Sequence, residues 1–426
     1  MGFPADISAT QEVAEYLLDA REVQDGCRDG RIVALAGRSG PVLVGPGTLV
    51  KVNTNIGCSR LRDIAAEHLK IDELAAAGYG PDTVMDLSIV RASEPLYIRC
   101  IDRLGVPIGT LPHYLCYKPR RGMDAGLLME EIHRQAEAGV AWMTLHLSVT
   151  RELYDLARRL RKTPTTARGG GIVISDMLLN DRAEGILAVR FNEIIEIMAR
   201  HGTVLSLGTT FRPANTIDAL DLAHRNELAL QRQFADEARR RGVPVMLEAV
   251  GHMKLSQLGD FVSLVRGQLK FEGPIMTLGP IPTDAAVGED HIANAIGGAM
   301  LAYAGGTNVL NCVTREEHTG GVPTPDSMLE SLRAARIAAH AVNISIFPAL
   351  DSPAERGTIE RRSQNYTCVV EGGLFNKSSR TRFQMGCRRC GNECPLLINF
   401  IANRTVADGR KDTMLSASWG ESMEKS

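Results

Sequence analysis

The stretch GLLMEEIHRQAEAGVAWMTLHLSV, residues 126–149, contains both elements of an alternating α/β chain. Its first part, residues 126–139, spaces apolar residues among charged ones and ends at a glycine, which predicts an amphipathic helix. Its last part, residues 142–149, is a short and mostly apolar run that is typical of a buried strand. A polar residue, His146, stands towards the end of that run. A helix followed directly by a buried strand is the repeating unit of a parallel sheet.

The same unit recurs along most of the chain. The candidate strands are residues 49–57, 83–90, 106–114, 142–149, 165–171, 203–210, 243–252, 275–281 and 308–314. Strands that alternate with helices over this length favour an α/β fold built as a closed (β/α)8 barrel over a doubly wound sheet. Because nine candidates compete for eight positions, one of them is an extra strand or a loop. No GxGxxG lies between a strand and a helix, so nothing indicates a dinucleotide site.

Two shorter segments flank the predicted barrel. Residues 1–48 are expected to form an N-terminal segment of helix and loop that ends in a connector rich in Gly and Pro, GRSGPVLVGPG. Residues 49–345 are expected to form the catalytic barrel, with a long final helix at residues 328–344. Residues 346–426 are expected to form a small cluster-binding domain with a mobile polar tail.

The composition excludes several classes of partner and location. The net charge is −2, which argues against nucleic acid or an anionic membrane as a partner. No apolar run approaches the roughly 20 residues that span a bilayer, and the N-terminus lacks the features of a secretory signal. Six of the nine cysteines are scattered, which is typical of a protein from a reducing compartment. We therefore expect a cytoplasmic protein.

Polar residues stand at nearly every predicted strand end. They are Asn53, Asn55, Asp86, His113, Tyr114, His146, Arg168, Thr209, Thr210, Glu248 and His252. Any one of them alone is explained as a structural residue that caps a strand. Because the carboxyl ends of barrel strands meet at one face, the whole set predicts a concave polar pocket there.

Two arginines and a glycine run indicate a site for an anion. ARGGG, residues 167–171, combines Arg168 with three glycines whose backbone N–H groups can form an anion-binding nest. Arg212 follows the next predicted strand, and an arginine pairs with phosphate through two hydrogen bonds. The two arginines fit a phosphorylated small substrate, although the glycine run alone also fits a plain flexible loop.

Two further patterns indicate metal sites. EAVGH and TREEH contain His252 and His318, which could hold a divalent metal if the fold brings them together. CRRCGNEC contains Cys387, Cys390 and Cys394. Their spacing fits a zinc site with Cys368 as a distant fourth ligand, and it equally fits a 4Fe–4S cluster with three thiolates and one open iron for S-adenosylmethionine (SAM).

The chain also resembles a known family. VKVNTNIGCS, DTVMDLS, VPIGTLPHY, SLGTTFRP, VPVMLEAVGH, TLGPIPTD, DHIANAIGGAM and VTREEH stand in the order of the corresponding motifs of the ThiC-like radical SAM family. The resemblance implies a barrel with a C-terminal cluster domain, and a homodimer in which that domain covers the partner's active site. It also implies that SAM, an electron donor and 5-aminoimidazole ribotide (AIR) are the partners.

The resemblance assigns roles to individual positions. Substrate contacts fall on Asn55, Met85, Tyr114, His146, Arg168, Gly169, Arg212 and Glu248. Thr209, Thr210 and Phe211, which stand in SLGTTFRP, and Met276, which directly precedes TLGPIPTD, complete the predicted substrate site. Glu248 and His146 are the expected catalytic residues, and Cys387, Cys390 and Cys394 the expected ligands of the 4Fe–4S cluster. His252 and His318 are the expected ligands of a divalent zinc, iron or cobalt ion.

Several positions depart from the motifs of the thiamin-type members. Ala167 replaces a serine, Thr209 an aspartate and Met276 a tyrosine, and the cysteine spacing is one residue shorter. This combination resembles the paralogue that converts AIR into 5-hydroxybenzimidazole, the lower-ligand base of cobalamin. The alternatives are the pyrimidine phosphate synthase of thiamin biosynthesis and a zinc-stabilised barrel that binds a phosphorylated ligand.

Overall fold

A computed structural model describes residues 7–15, 17–351, 355–366, 368, 374–375, 389–390 and 393–408. The chain divides into two compact units, Met1–Ile346 and Phe347–Ser426. No helix among the described residues is both long enough and apolar enough to cross a membrane.

The described residues of the first unit form twelve strands. They are β1 (Val33–Leu35), β2 (Val42–Val44), β3 (Lys51–Ile56), β4 (Thr83–Asp86), β5 (Ile108–Thr110), β6 (Tyr117–Lys118), β7 (Gly122–Met123), β8 (Trp142–Leu145), β9 (Val204–Leu207), β10 (Val245–His252), β11 (Ile275–Ile281) and β12 (Val309–Asn311). Eight of them close a barrel in the order β10-β11-β12-β3-β4-β5-β8-β9, and every pair is parallel. The predicted (β/α)8 barrel is therefore confirmed.

Helices alternate with the barrel strands and continue into the second unit. They are α1 (Gln11–Ala14), α2 (Ala20–Arg28), α3 (Ile64–Ala76), α4 (Leu96–Leu104), α5 (Ala125–Glu137), α6 (Arg151–Leu160), α7 (Arg168–Leu179), α8 (Ile186–Val189), α9 (Phe191–His201), α10 (Leu222–Arg240), α11 (Leu258–Val262), α12 (Asp290–Tyr303), α13 (Pro325–Ile346), α14 (Pro348–Asp351), α15 (Gly357–Asn365) and α16 (Pro395–Asp408). Short 3-10 turns occupy Ile7–Ala9, Leu61–Asp63, Pro112–Leu115 and Leu255–Gln257, and a π-helical turn occupies Ser263–Gln268.

Residues 126–149 fold as their pattern predicts, into a helix and a buried strand. The side chain of Asp124 accepts a hydrogen bond from the backbone N–H of Leu127 at 2.9 Å and so caps the first turn of α5. Strand β8 follows and is buried along its whole length. A β-carbon at Gly109 in β5 would lie 2.0 Å from the indole ring of Trp142, so only glycine allows these neighbouring strands to pair.

Two sequence predictions differ from the structure. Residues 165–171 are not a strand, because α7 begins at Arg168 and includes the glycine run. The N-terminal segment is not only helix and loop, because β1 and β2 pair as an antiparallel hairpin within it. Each hairpin strand has only three residues, and glycine and proline surround the second, so the pattern resembled a connector.

The hairpin closes the amino-terminal end of the barrel. Val33 and Val44 join an apolar cluster with Trp142, Val204 and Val309, which are the first residues of three barrel strands. The same cluster continues along the barrel interior to Met85, Tyr114 and Met276. With one end sealed by packed side chains, the carboxyl ends of the strands are the face that is left for a polar site.

Candidate active site

His146 lies immediately after β8 and is almost fully buried. Its Nδ1 lies 2.9 Å from the hydroxyl oxygen of Thr210, which follows β9. Burial lowers the pKa of His146 well below its usual value, so the imidazole is neutral. A neutral ring whose Nδ1 is fixed by one partner presents Nε2 as a single donor or acceptor.

Glu248, within β10, and Arg212, in the loop that follows β9, form a buried ion pair. Nη1 of Arg212 lies 3.0 Å from Oε1 of Glu248, and the two side chains are 12% and 7% exposed. Burial raises the pKa of the Glu248 carboxyl, and the positive charge of Arg212 offsets part of that rise. The structure thus brings together two residues that the sequence assigns to the substrate site.

The hydroxyl of Thr209 is engaged within the barrel wall. It donates a hydrogen bond to the backbone carbonyl of Glu248 and accepts one from Nε2 of Gln231 at 3.1 Å. The side chain of Phe211 is fully buried in the main core. Thr209 and Phe211 therefore attach the loop after β9 to the rest of the fold. In the same loop, Thr210 contacts His146 and Arg212 contacts Glu248.

Glu227 on α10 holds that loop in place, and no pattern in the sequence indicated this role. Its carboxylate accepts hydrogen bonds from the backbone N–H groups of Thr210 and Phe211 and from the hydroxyl of Ser148, each at 2.6 Å. Burial raises the pKa of Glu227 to about 7. The residue lies within an ordinary amphipathic helix, so only the packing of α10 on the loop shows its role.

Arg168 is the first residue of α7, and its guanidinium lies over the ring of Tyr114, 5.8 Å from the ring centre. Burial raises the pKa of the Tyr114 phenol to about 12, so the hydroxyl stays protonated. Tyr114 packs in the barrel interior with Met85 and Met276. Asn55, which is partly buried on β3, accepts a hydrogen bond from Asn53 at 3.0 Å.

His252 and His318 are brought together although they are distant in sequence. Their ring centres lie 4.9 Å apart. Nδ1 of His252 lies 2.7 Å from Asp284, and Nδ1 of His318 lies 2.6 Å from Asp290. Both rings border a cavity of about 300 Å³, which is also lined by Thr166, Arg212, Pro213, Ala214, Gly251, Leu278, Gly279, Ile281, Val313 and Glu317.

This arrangement fits two ligands of one divalent metal. Histidines that bind metals usually donate Nδ1–H or Nε2–H to a carboxylate, which orients the ring and leaves the other nitrogen for the ion. Here Asp284 and Asp290 contact the two Nδ1 atoms, so the Nε2 atom of each histidine is the one that could bind an ion. Within the described part of the chain no group of three or more His, Cys, Asp or Glu side chains is placed to hold an ion, so further ligands would come from elsewhere.

We expect Asp290→Asn to weaken divalent metal binding by about tenfold or more, because the amide is a poorer acceptor for the Nδ1–H of His318. Binding of Co²⁺ to the purified protein, followed by its visible absorption, measures this change. Glu289→Gln is the matched control, because Glu289 is the exposed neighbour of Asp290. Equal loss in both variants would indicate a general effect of charge rather than support of His318.

Two of the three clustered cysteines lie among the described residues of the second unit. Cys394 is buried and directly precedes α16, and its carbonyl accepts a hydrogen bond from the backbone N–H of Ile398 at 3.0 Å. Cys390 is exposed. Cys387 lies outside the described residues, so the predicted ligand set stays a prediction.

Comparison with known proteins identifies relatives over most of the chain. A family model described as the radical SAM ThiC family matches residues 7–400. A phosphomethylpyrimidine synthase of Methanopyrus kandleri is 39% identical and covers 71% of each chain. Another, of Ignicoccus hospitalis, is 37% identical over 89% of this chain and 91% of its own. A 5-hydroxybenzimidazole synthase of Eubacterium limosum is 33% identical over 88% of this chain and 91% of its own.

Proposed function

Because this chain belongs to the radical SAM ThiC family, we propose that it converts AIR into 5-hydroxybenzimidazole, with 5′-deoxyadenosine and methionine as co-products. Family membership makes the protein a radical SAM enzyme that uses a 4Fe–4S cluster, SAM and a small-molecule substrate. The observation that carries the choice of product is the composition of the barrel at residues 167, 209 and 276.

The proposed substrate site uses the residues at the carboxyl ends of the strands. Arg168 is assigned to the phosphate, because it stands at the first turn of α7, where backbone N–H groups also favour an anion. Arg212 is already paired with Glu248 and so orients that carboxylate. Glu248 and the neutral His146 are assigned to the aminoimidazole or the ribose hydroxyls. Glu248 would accept a hydrogen bond there, and His146 would donate or accept one through Nε2.

Cys387, Cys390 and Cys394 are assigned to the cluster. The chemistry that such a cluster supplies when bound is one-electron reduction of SAM, which releases methionine and a 5′-deoxyadenosyl radical. The buried position of Cys394 before α16 fits this assignment, because the N-terminus of a helix favours a group of negative charge. His252 and His318 are assigned to a divalent zinc, iron or cobalt ion.

The product follows from groups that the barrel lacks. Ala167 is buried at the residue before α7 and has no hydroxyl, and Met276 is buried beside Met85 and Tyr114 and has no phenol. Thr209 has a hydroxyl that is already bonded to the carbonyl of Glu248 and cannot act as a base of carboxylate strength. The pocket of the thiamin-type members has a serine, a tyrosine and an aspartate at these positions. A different set of groups would direct the same substrate to a different rearrangement.

A second candidate product is 4-amino-5-hydroxymethyl-2-methylpyrimidine phosphate. The identities of 37% and 39% to two phosphomethylpyrimidine synthases favour it over the 33% identity to the 5-hydroxybenzimidazole synthase. Both candidates share AIR, SAM and the cluster, and they differ only in which bonds of the substrate break. The remaining parts of the proposal, a homodimer, an electron donor and a cytoplasmic location, do not depend on this choice.

One reaction distinguishes the candidates. Protein with a reconstituted cluster is incubated without oxygen with AIR, SAM and dithionite, and the products are identified by mass spectrometry. We expect 5-hydroxybenzimidazole together with 5′-deoxyadenosine. A main product with the mass of the pyrimidine phosphate would replace the first candidate by the second, and turnover of SAM without change to AIR would overturn both.

A further inference from the structure

His113 is a buried side chain that the proposed mechanism does not use. It lies on the 3-10 turn Pro112–Leu115 that follows β5, and no part of it is exposed. Neither of its ring nitrogens has a hydrogen-bond partner among the described residues. Buried polar groups are almost always paired, so two unpaired nitrogens on one side chain call for an explanation.

The ring stands at the proposed substrate site. Its centre lies 5.8 Å from that of His146 and 5.1 Å from that of Tyr114, in edge-to-face contact with each. A β-carbon on Gly169 would lie 2.4 Å from Nε2 of His146 and 3.0 Å from Nε2 of His113. The Nε2 atoms of both histidines therefore approach the first turn of α7 at the same glycine.

The chemistry of the ring restricts what it can bind. Burial lowers the pKa of His113 to about 3, so the imidazole is neutral and offers one donor and one acceptor. A neutral ring is poorly suited to a phosphate, for which Arg168 stands nearby at the start of α7. It is well suited to an uncharged heterocycle that carries an amino group and ring nitrogens.

A purely structural role would make histidine a poor choice at this position. An apolar side chain of similar volume would fill the same space without burying two unpaired nitrogens, and such a replacement is often neutral or stabilising. A group that lowers stability and yet lies beside a binding site is typical of function. The backbone at Gly169 covers Nε2, and the outer side of the same turn is open, because a β-carbon on Gly171 would have no neighbour within 4 Å.

We propose that His113 is a further substrate-contacting residue, which hydrogen-bonds the aminoimidazole ring beside His146 and thereby helps to select the base. The contact forms when the first turn of α7 moves aside from Nε2. This inference rests on the proposed use of AIR as substrate, and it adds a specificity residue to that site.

The test compares two ligands and two variants by calorimetry. AIR carries the base, whereas ribose 5-phosphate carries only the sugar phosphate. We expect His113→Leu to bind AIR about tenfold more weakly and to bind ribose 5-phosphate as the wild type does. Its Tm should equal or exceed that of the wild type, because the unpaired nitrogens are gone. His113→Gln, which keeps an amide nitrogen near the position of Nε2, should recover much of the affinity for AIR.

Three outcomes would overturn the inference. Unchanged affinity of His113→Leu for AIR would show that the base does not use this ring. A lower Tm with parallel losses for both ligands would assign His113 to the fold, with its nitrogens satisfied by water. Wild-type protein that binds ribose 5-phosphate but not AIR would overturn the proposed substrate first, and the inference with it.

Discussion

Cys394→Ala should abolish the formation of 5′-deoxyadenosine from SAM. Cys387, Cys390 and Cys394 would hold the proposed cluster that reduces SAM, so the Cys394→Ala substitution removes one of its three expected ligands. The assay incubates the reconstituted variant with SAM and dithionite without oxygen and separates the nucleosides by chromatography. Iron and sulfide analysis of the same sample reports whether a cluster has formed.

Cys368→Ala is the matched control, because Cys368 is an exposed cysteine of the same unit and the proposed fourth ligand of the rival zinc site. It should keep full SAM cleavage and the iron content of the wild type. If the site instead holds zinc, Cys368→Ala would lose zinc as Cys394→Ala does, and the wild type would contain no acid-labile sulfide. Normal SAM cleavage by Cys394→Ala would contradict the assignment of the cluster to this loop.

The barrel could be predicted because its signal is local and repeated. Each strand is a short apolar run that is followed by a helix, and burial on both faces makes the run nearly continuous in apolar residues and therefore easy to recognise. The same criterion failed at residues 165–171, where threonines and glycines resemble a strand but α7 begins at Arg168. The short run itself does not indicate that the residues after it form the apolar face of a helix.

The site could be predicted in part, because the ends of parallel strands converge. That rule placed His146, Arg212 and Glu248 in one region, and the structure joins Arg212 to Glu248 directly. It also selected Asp86, whose carboxylate accepts hydrogen bonds from Ser88 and from the backbone of Tyr97 and so stabilises the loop. A position at a strand end does not show whether a side chain binds a ligand or stabilises the fold.

The residues that orient the site were not predictable in the same way. Glu227, Asp284 and Asp290 each contact a loop or a histidine that is distant in sequence. Their contacts depend on how a helix or a loop packs over the strand ends, and the local pattern of a carboxylate on a helix or in a turn is common. Only the assembled barrel distinguishes them from solvent-exposed charges.

Glu248→Gln should lower the rate of AIR conversion by ~100-fold or more, the range expected when a positioned proton acceptor is removed. The amide has nearly the shape of the carboxylate and can still accept a hydrogen bond from Arg212, so the pocket should keep its form. What is lost is the negative charge, held in a buried site where it accepts hydrogen bonds or protons most effectively. Single-turnover product formation without oxygen, together with AIR binding by calorimetry, separates the rate from affinity.

Glu12→Gln is the matched control for Glu248→Gln, because Glu12 also forms a buried ion pair, with Lys51 at 2.6 Å. Lys51 is the first residue of β3, so this pair lies at the amino end of the barrel, away from the proposed site. Loss of the Glu12–Lys51 ion pair should lower Tm, since a charge-assisted hydrogen bond contributes about 1.5–3 kcal/mol. It should leave the rate of AIR conversion by the folded protein unchanged. Because only Glu248→Gln should lower the rate, the two variants separate a carboxylate that serves the chemistry from one that serves the fold. Equal rates for Glu248→Gln and wild type would remove Glu248 from the catalytic assignment and leave it as a partner that orients Arg212.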